Sequence, residues 1–344
     1  MQRVLVLLIA AGALWTSAAA GRLWLYWTRP ARPVPPVEAC FDIPEGSGLK
    51  KIAALLQDQG IIRDRFLFVL CARFKKAEHR IQSGTYCLRL PLAPRDVLDT
   101  LIRGDVRVVR VTIPEGSTIF DIARILEQRG LGQAETVVQT ATDPAFVRSF
   151  GYDNESLEGF LFPDTYMFKP KAAPAAVLGR MARRFAEVVE RELHRIPGTH
   201  GLTLRDIVTL ASLVEKETGR EAEKPVIAGV FFNRLRRGMR LECDPTVLYG
   251  VRLEDPSFRG RLRKKHLLAA TRYNTYQISG LPYGPICNPG IAAIRAVVQP
   301  APVEYLFFVS RNDGTHQFSR TIEEHNAAVQ KYQRARAAPE DGLR

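Results

Sequence analysis

The chain is poor in the residues that build metal centres and redox sites. Its 344 residues include five cysteines, six histidines and four methionines. Cys40, Cys71, Cys87, Cys243 and Cys287 are scattered, odd in number and never spaced as Cys-x-x-Cys, which excludes a cysteine zinc motif. One disulfide in an oxidising compartment and buried free thiols both fit them. The histidines (His79, His194, His200, His266, His316, His325) show no ligand spacing. No Ser/His/Asp arrangement and no phosphate-binding loop appears either, so neither cofactor nor metal is expected. The 25 glycines follow no triplet period and the 22 prolines interrupt any long heptad, excluding collagen-like and coiled-coil chains. Beyond Trp27 no stretch is long and apolar enough to span a bilayer.

What is present is apolar matter for real cores, 46% of the chain, and a formal net charge of +13. The first excludes wholesale disorder and the second points to anionic partners. The length suggests two domains. Val4 to Ala20 is an apolar run broken only by Gly12, Thr16 and Ser17, followed after Arg22 by Leu23-Trp24-Leu25-Tyr26-Trp27. Two readings fit: an uncleaved membrane anchor over 1–29, or a signal peptide cleaved near Ala18-Ala19-Ala20. The Trp/Tyr cluster favours the anchor, as an interfacial belt. Pro30, Pro33, Pro35 and Pro36 then read as a stiff spacer over 30–37 that holds the folded part off the membrane.

An internal repeat follows. Ile43-Pro44-Glu45-Gly46-Ser47 recurs seventy residues later as Ile113-Pro114-Glu115-Gly116-Ser117, and Ile52-Ala53, Leu56 and Gly60 recur as Ile122-Ala123, Leu126 and Gly130. Each copy reads as a short strand, a turn and a helix, with Ser47 and Ser117 as N-caps and the glycines as C′ residues. A strand over 84–90 and a helix over 94–102 lie between them. The spacing predicts an α+β module over 38–149, as plain scaffold or binding unit. A second region over 150–334 carries helical patterns at 173–195, 203–218 and 222–237, then turns and short strands, of which Leu306-Phe307-Phe308-Val309 is clearest. Residues 335–344 form a tail.

The most informative segment is Leu210-Ala211-Ser212-Leu213-Val214-Glu215-Lys216-Glu217-Thr218-Gly219. On a helix, Ile207, Leu210, Leu213 and Val214 share an apolar face, and Glu217 projects from it. Glu215 is rotated by about 200° from Glu217 and, with Lys216, reads as a solvated helix-end charge. A carboxyl in an apolar setting keeps its proton to higher pH, as a general acid requires. The plainer alternative makes Glu217 the first polar residue as the helix surfaces. Other polar groups gather in this half on Gly/Pro-shaped loops: Asn233-Arg234, Asp244-Pro245-Thr246, Tyr273-Asn274-Thr275-Tyr276, Gly280-Leu281-Pro282 and Asn288-Pro289-Gly290. Together they suggest a groove for a polar polymer, although turns use the same residues.

These segments carry a resemblance. Glu158-Gly159-Phe160-Leu161-Phe162-Pro163-Asp164-Thr165-Tyr166, the Ala211–Glu217 stretch, Asn233-Arg234-Leu235, Met239 through Tyr249, Tyr273-Asn274-Thr275-Tyr276, Gly280 through Ile286 and His325-Asn326 resemble the endolytic murein transglycosylases of the YceG-like type. The resemblance implies an α+β protein: a single-pass inner-membrane anchor, a LysM-like module matching the repeat region, and a periplasmic catalytic domain. Its essential glutamate falls on Glu217, with Glu215 as fallback. It implies peptidoglycan glycan strands as substrate, lined by Asn233, Asp244, Thr246, Asn274, Tyr276 and Glu215, and peptidoglycan synthases as partners. One carboxyl suffices for the implied chemistry, which yields a 1,6-anhydro sugar. Asp244 is a possible second carboxylate if the fold brings it close. Two other classes compete: a non-catalytic wall-binding scaffold, and a nucleic-acid binder suggested by Arg234–Arg237 and Arg259–Lys265. The export segment argues against the latter.

Overall fold

The computed structural model describes residues 18, 20–31, 36–194, 198 and 200–334. The chain divides into two compact units, the first running to Val109 and including Met167–Pro170, the second formed by Arg110–Tyr166 and Lys171 onward. Most of the apolar run, Val4 to Ser17, and the tail from 335 lie outside the described residues. Among the described residues no helix is long and apolar enough to cross a membrane.

The first unit runs β1 (Val37–Ile43), α1 (Leu49–Asp58), α2 (Arg65–Phe74), β2 (Gly84–Leu90) and α3 (Pro94–Arg103). β1 and β2 pair antiparallel from Val37↔Leu90 to Ile43↔Gly84. Alternate residues Phe41, Ile43, Tyr86 and Leu88 face inward and meet Ile52, Leu56, Phe68, Leu98 and Leu101 of the helices. Cys40 and Cys87 are directly opposed in this register and form a disulfide, whereas Cys71, Cys243 and Cys287 are buried free thiols.

Residues 20–28 are helical and lead into this unit. The Tyr26 hydroxyl donates to the Asp64 carbonyl at 2.6 Å, and the Trp27 ring lies 6.3 Å from that of Phe68. These two aromatics therefore pack on protein instead of forming a free belt. The spacer expectation also changes at its start. Arg63 donates to the carbonyls of Pro30, at 2.8 Å, and Ala31, tying them to the unit. Pro33 and Pro35 lie outside the described residues.

The second unit begins with β3 (Val109–Thr112), α4 (Ile119–Gln128), α5 (Ala134–Ala141), α6 (Pro144–Arg148) and β4 (Thr165–Phe168). Helix α7 (Pro174–Phe185) continues through a π-helical turn, Ala186–Glu190, into Arg191–Leu193. Then come α8 (Leu204–Glu217), α9 (Lys224–Arg236), α10 (Asp244–Glu254), α11 (Lys264–Leu267) and α12 (Ile291–Val298). A hairpin of β5 (Phe307–Ser310) and β6 (His316–Ser319) precedes α13 (Ile322–Val329). The result is a mixed α+β fold whose described strands form three two-stranded sheets. α8 is the centre of the second core: every residue from Ile207 to Val214 is buried, including Thr209 and Ser212, which is the mark of a helix packed on all sides. α9 and α12 pack against it.

The repeat is real in backbone terms. In both copies the Ile-Ala and Leu positions are buried. Gly60 and Gly130 take left-handed φ of 68° and 70°, and Ile61 and Leu131 donate back to Leu56 and Leu126 at 2.9 Å, closing both helices as glycine-dependent C-caps. The N-caps fall one residue later than expected. Gly48 begins α1 with no side-chain cap, and Thr118 begins α4 in a reciprocal pair with Asp121. Ser117 instead donates to Pro114 O at 2.6 Å.

The two compact units divide at Val109/Arg110, so the second copy of the repeat falls in the unit that also holds residues 150 onward. The second copy belongs with the following unit because hydrogen bonds place it there. Gly116 N–H donates to Asn288 O and Asn288 N–H to Ser117 O, both at 2.9 Å. Buried Glu158 accepts from Ile119 N–H at the start of α4, from Tyr249 OH at 3.1 Å and from Asn288 Nδ2 at 2.9 Å. Burial pushes the Glu158 carboxyl up to about 8 against the pull of these donors.

The disulfide closes a separation of 47 residues, so by chain entropy its loss costs about 4 kcal/mol. Reduction should lower the first unit's melting transition. Tryptophan emission reads that transition selectively, because all three tryptophans precede residue 28. An unchanged transition would show that the bond carries no stability.

Candidate active site

Helix α8 starts with a capping box, Thr203 Oγ1 accepting from Asp206 N–H while the Asp206 carboxylate accepts from Thr203 N–H. It stops because Thr218 is extended, at φ −144°. Glu217 is therefore the last helical residue. Its carboxyl borders a cavity of about 440 Å³ that also exposes Arg234, Glu242, Asp244, Tyr276, Ser310, His316 and His325. The Cys243 thiol donates to Glu217 Oε1 at 2.9 Å. Burial holds the carboxyl above the ordinary range; the thiol opposes this, the Asp244 charge reinforces it, and His316 and Arg234 weaken it.

Glu215 is not a solvated helix-end charge. Lys224 Nζ donates to its Oε1 at 2.8 Å and Gly290 N–H to its Oε2 at 3.0 Å. The side chains are 7% and 2% exposed for Glu215 and Lys224. Glu115 approaches the same ammonium at 3.8 Å, and its carboxylate occupies the space where residue 290 would carry a Cβ, so a side chain there would displace it. Lys216 stays exposed, as expected of a helix-end charge, and donates to Gly116 O at 3.1 Å.

The expected groove residues separate into two groups. Asp244 and Tyr276 border the cavity with Glu217, and the Tyr276 hydroxyl donates to Asp244 Oδ1 at 2.7 Å. Asp244 is exposed and starts α10, not a loop. Asn233, Thr246 and Asn274 are buried and face protein. Asn233 Nδ2 donates to the carbonyls of Val303 and Tyr305 at 2.8 and 2.9 Å. Asn274 Nδ2 holds the carbonyls of His266, Leu267 and Ala269. Thr246 Oγ1 meets Thr275 Oγ1 at 2.9 Å, and Thr275 Oγ1 accepts from Cys243 N–H at 2.9 Å. The polar atoms of these three residues are held by protein partners and none of the three borders the Glu217 cavity, while Asn233 edges a separate one with Arg236 and Arg320.

Sequence reading missed several members of the site. Glu223 accepts from His316 at both the backbone N–H, 3.0 Å, and ring Nδ1, 2.7 Å. With Nδ1–H committed to the carboxylate, Nε2 is the nitrogen left for the cavity. Burial opposes ionisation of Glu223, but these contacts hold its carboxyl below the usual range. Arg234, which looked like part of a basic run, is buried and donates to the carbonyls of Leu306, Arg240 and Leu241 at 2.7 to 3.0 Å. That removes it from any nucleic-acid face. The Arg259–Lys265 basic residues are solvated. Among the described residues, one group, Glu38, Cys40 and Cys87, brings three ligand atoms together, but its two sulfurs are bonded to each other.

A carboxyl whose hold on its proton is strengthened by burial, at the end of a buried helix and facing a polar cleft edged by a carboxylate, a phenol and an imidazole, defines a general-acid site. The profile of the YceG-like family matches residues 41–331, and the chain belongs to that family. It is 28% identical over 311 residues to the endolytic murein transglycosylase of Bacillus subtilis strain 168, covering 85% of this chain and 84% of that one. The endolytic murein transglycosylase of Streptococcus pneumoniae D39 is 27% identical over 326 residues, covering 84% of this chain but 57% of its own longer length. The crystal structure of a YceG-like protein from Listeria monocytogenes superposes with a TM-score of 0.57 at 28% identity, covering 86% of this chain and all of that one.

The two glutamates should separate in a thermal melt. Glu215→Ala takes from the buried Lys224 ammonium its close partner, leaving only Glu115 at 3.8 Å, and is expected to cost about 3 kcal/mol. Glu217→Gln removes a group that burial already disfavours as an anion, and should leave stability nearly unchanged. Equal losses would mean that both carboxylates are structural.

Proposed function

We propose that the chain is an endolytic murein transglycosylase in which Glu217 is the single acid–base. The observation that carries this reading is the division of labour in Glu215-Lys216-Glu217: the first carboxylate is locked in an ion pair, and the second faces the cavity. Protonated Glu217 gives its proton to the oxygen linking N-acetylmuramic acid to N-acetylglucosamine. The C1–O bond breaks and its electron pair stays on the departing oxygen. The Glu217 carboxylate then takes the proton of the muramic C6 hydroxyl as O6 bonds to C1. The product ends in a 1,6-anhydro sugar, no water is consumed, and Glu217 is protonated again. Hydrolysis uses two carboxylates with a water between or a covalent intermediate; here Asp244 is bound to Tyr276 and the pair serves to hold sugar hydroxyls.

In the same reading the N-terminal apolar run is a single-pass anchor in the inner membrane. Both units then face the periplasm and work beside peptidoglycan synthases. The first unit, with its β-α-α-β order, is the LysM-like module. A Cys40–Cys87 disulfide fits an oxidising compartment. The site's acidic cleft and the buried Arg234 favour glycan over nucleic acid.

Mass spectrometry of purified wall digested with the wild type should give anhydro-ended fragments, reduced by a factor of about 10²–10⁴ with Glu217→Gln. Unchanged release by the variant would overturn the assignment, and ordinary reducing ends would mean a hydrolase.

The pH profile supplies a second check. The acid must be protonated, so the rate should fall as pH rises through a Glu217 pKa above the ordinary carboxylate range. Cys243→Ala removes a donor that favours the anion and should move this limb to higher pH, whereas Cys243→Ser should leave it near the wild-type position. Coincident limbs in all three would show that the thiol does not tune the acid.

A further inference from the structure

Helix α2 has an outward apolar stripe. Phe66 and Phe74 are 73% and 76% exposed and Leu70 is 43% exposed, spaced four residues apart, while Phe68, Cys71 and Ala72 on the inner side are buried. Scattered exposed apolar residues are normal, but three aligned on one helix face, with two aromatics almost bare, mark a contact surface. Basic residues surround the stripe: Arg65 and Lys76, with the Arg65 guanidinium 5.0 Å above the Phe66 ring, and Arg63, Arg73 and Lys75, which are also engaged by the Pro30 and Ala31 carbonyls, Glu78 and Asp99 respectively. An amphipathic helix of this composition suits an anionic lipid surface.

Its position relative to the apolar N-terminal run specifies the occupant. The helical segment over 20–28 packs directly on α2, through Tyr26 OH to Asp64 O and Trp27 against Phe68, with Lys75 Nζ 5.5 Å above the Trp27 ring. Tyr26 lies six residues beyond Ala20, where the apolar run ends. At 1.5 Å per helical residue that is about 9 Å, comparable with the roughly 5–8 Å of headgroup region on each side of a bilayer. The start of α2 is thus held at headgroup depth. Trp24, 65% exposed, and Leu25 remain open beside it.

We propose that Phe66, Leu70 and Phe74 form an interfacial docking face that seats the first unit on the anionic leaflet from which the chain emerges, with Arg65 and Lys76 beside it meeting lipid phosphates. The proposal rests on the anchor reading, and the experiment separates the two. The full chain, reconstituted in phosphatidylglycerol/phosphatidylcholine vesicles, would carry a nitrobenzoxadiazole probe at Phe74→Cys or, separately, at Leu8→Cys; wild type taken through the same labelling serves as the blank for its buried thiols. Docking predicts a blue-shifted Phe74 probe, quenched at least twofold by lipids with a nitroxide near the headgroup. It also predicts that quenching falls by half or more when Phe66→Ser is added, with wall cleavage in detergent unchanged. A quenched Leu8 probe with a water-like Phe74 probe overturns the docking face and leaves the anchor standing. Water-like emission at both sites overturns both. Shielding at residue 74 that appears only as protein per vesicle rises identifies a second copy as the occupant and overturns the lipid assignment.

Discussion

The ion pair between Lys224 and Glu215 is the constraint on which the site depends. An ammonium and a carboxylate this well buried are stable only while each satisfies the other. The pair joins the last turn of α8 to the first of α9, and the Gly290 amide on the second carboxylate oxygen adds the start of α12. With Glu215 pinned on that side, helical geometry sends Glu217 out on the opposite one, two residues further on. The orientation of the acid is therefore set by its neighbour and not by any strong contact of its own. Its one described hydrogen bond comes from a thiol, a weak donor.

Much of this was legible in the sequence, and the limits have physical causes. Local codes read well. The Ile207, Leu210, Leu213 and Val214 face, the two C′ glycines and the position of Glu217 depend only on periodicity and backbone preference within one helix. Long-range pairing did not read. Glu215 looked solvated because Lys224 sits beyond a helix break and Gly290 lies 75 residues away. His316 carries no local signal of its role, because its partner Glu223 is 93 residues distant. Asn233, Thr246 and Asn274 drew attention because amides and hydroxyls suit sugars. The same atoms suit stray backbone carbonyls equally well, and residue type alone does not tell which partner arrives first.

The repeat teaches the complementary lesson. Its copies share a strand, a turn, a helix and a C-cap, and they even bury matching residues. Yet the first closes a small disulfide-bonded unit, while the second is tied by Asn288 and Glu158 into the core that carries the acid. Local sequence specifies the element; the partners of its turn decide which core it joins. Glu115 makes this concrete, because, although exposed like its counterpart Glu45, it reaches the Lys224 ammonium from the second copy.

The enclosure around Glu217 also determines how the site ages. Burial raises the Cys243 thiol well above its ordinary range, so the thiolate that oxidants attack is nearly absent. Oxidation to sulfenic acid would begin from that thiolate. In surroundings oxidising enough to join Cys40 to Cys87, the sulfur beside the acid is kept unreactive by the same desolvation that raises the pKa of the carboxyl. Any change that opens the buried Cys243 thiol to water would therefore also shorten the enzyme's working lifetime.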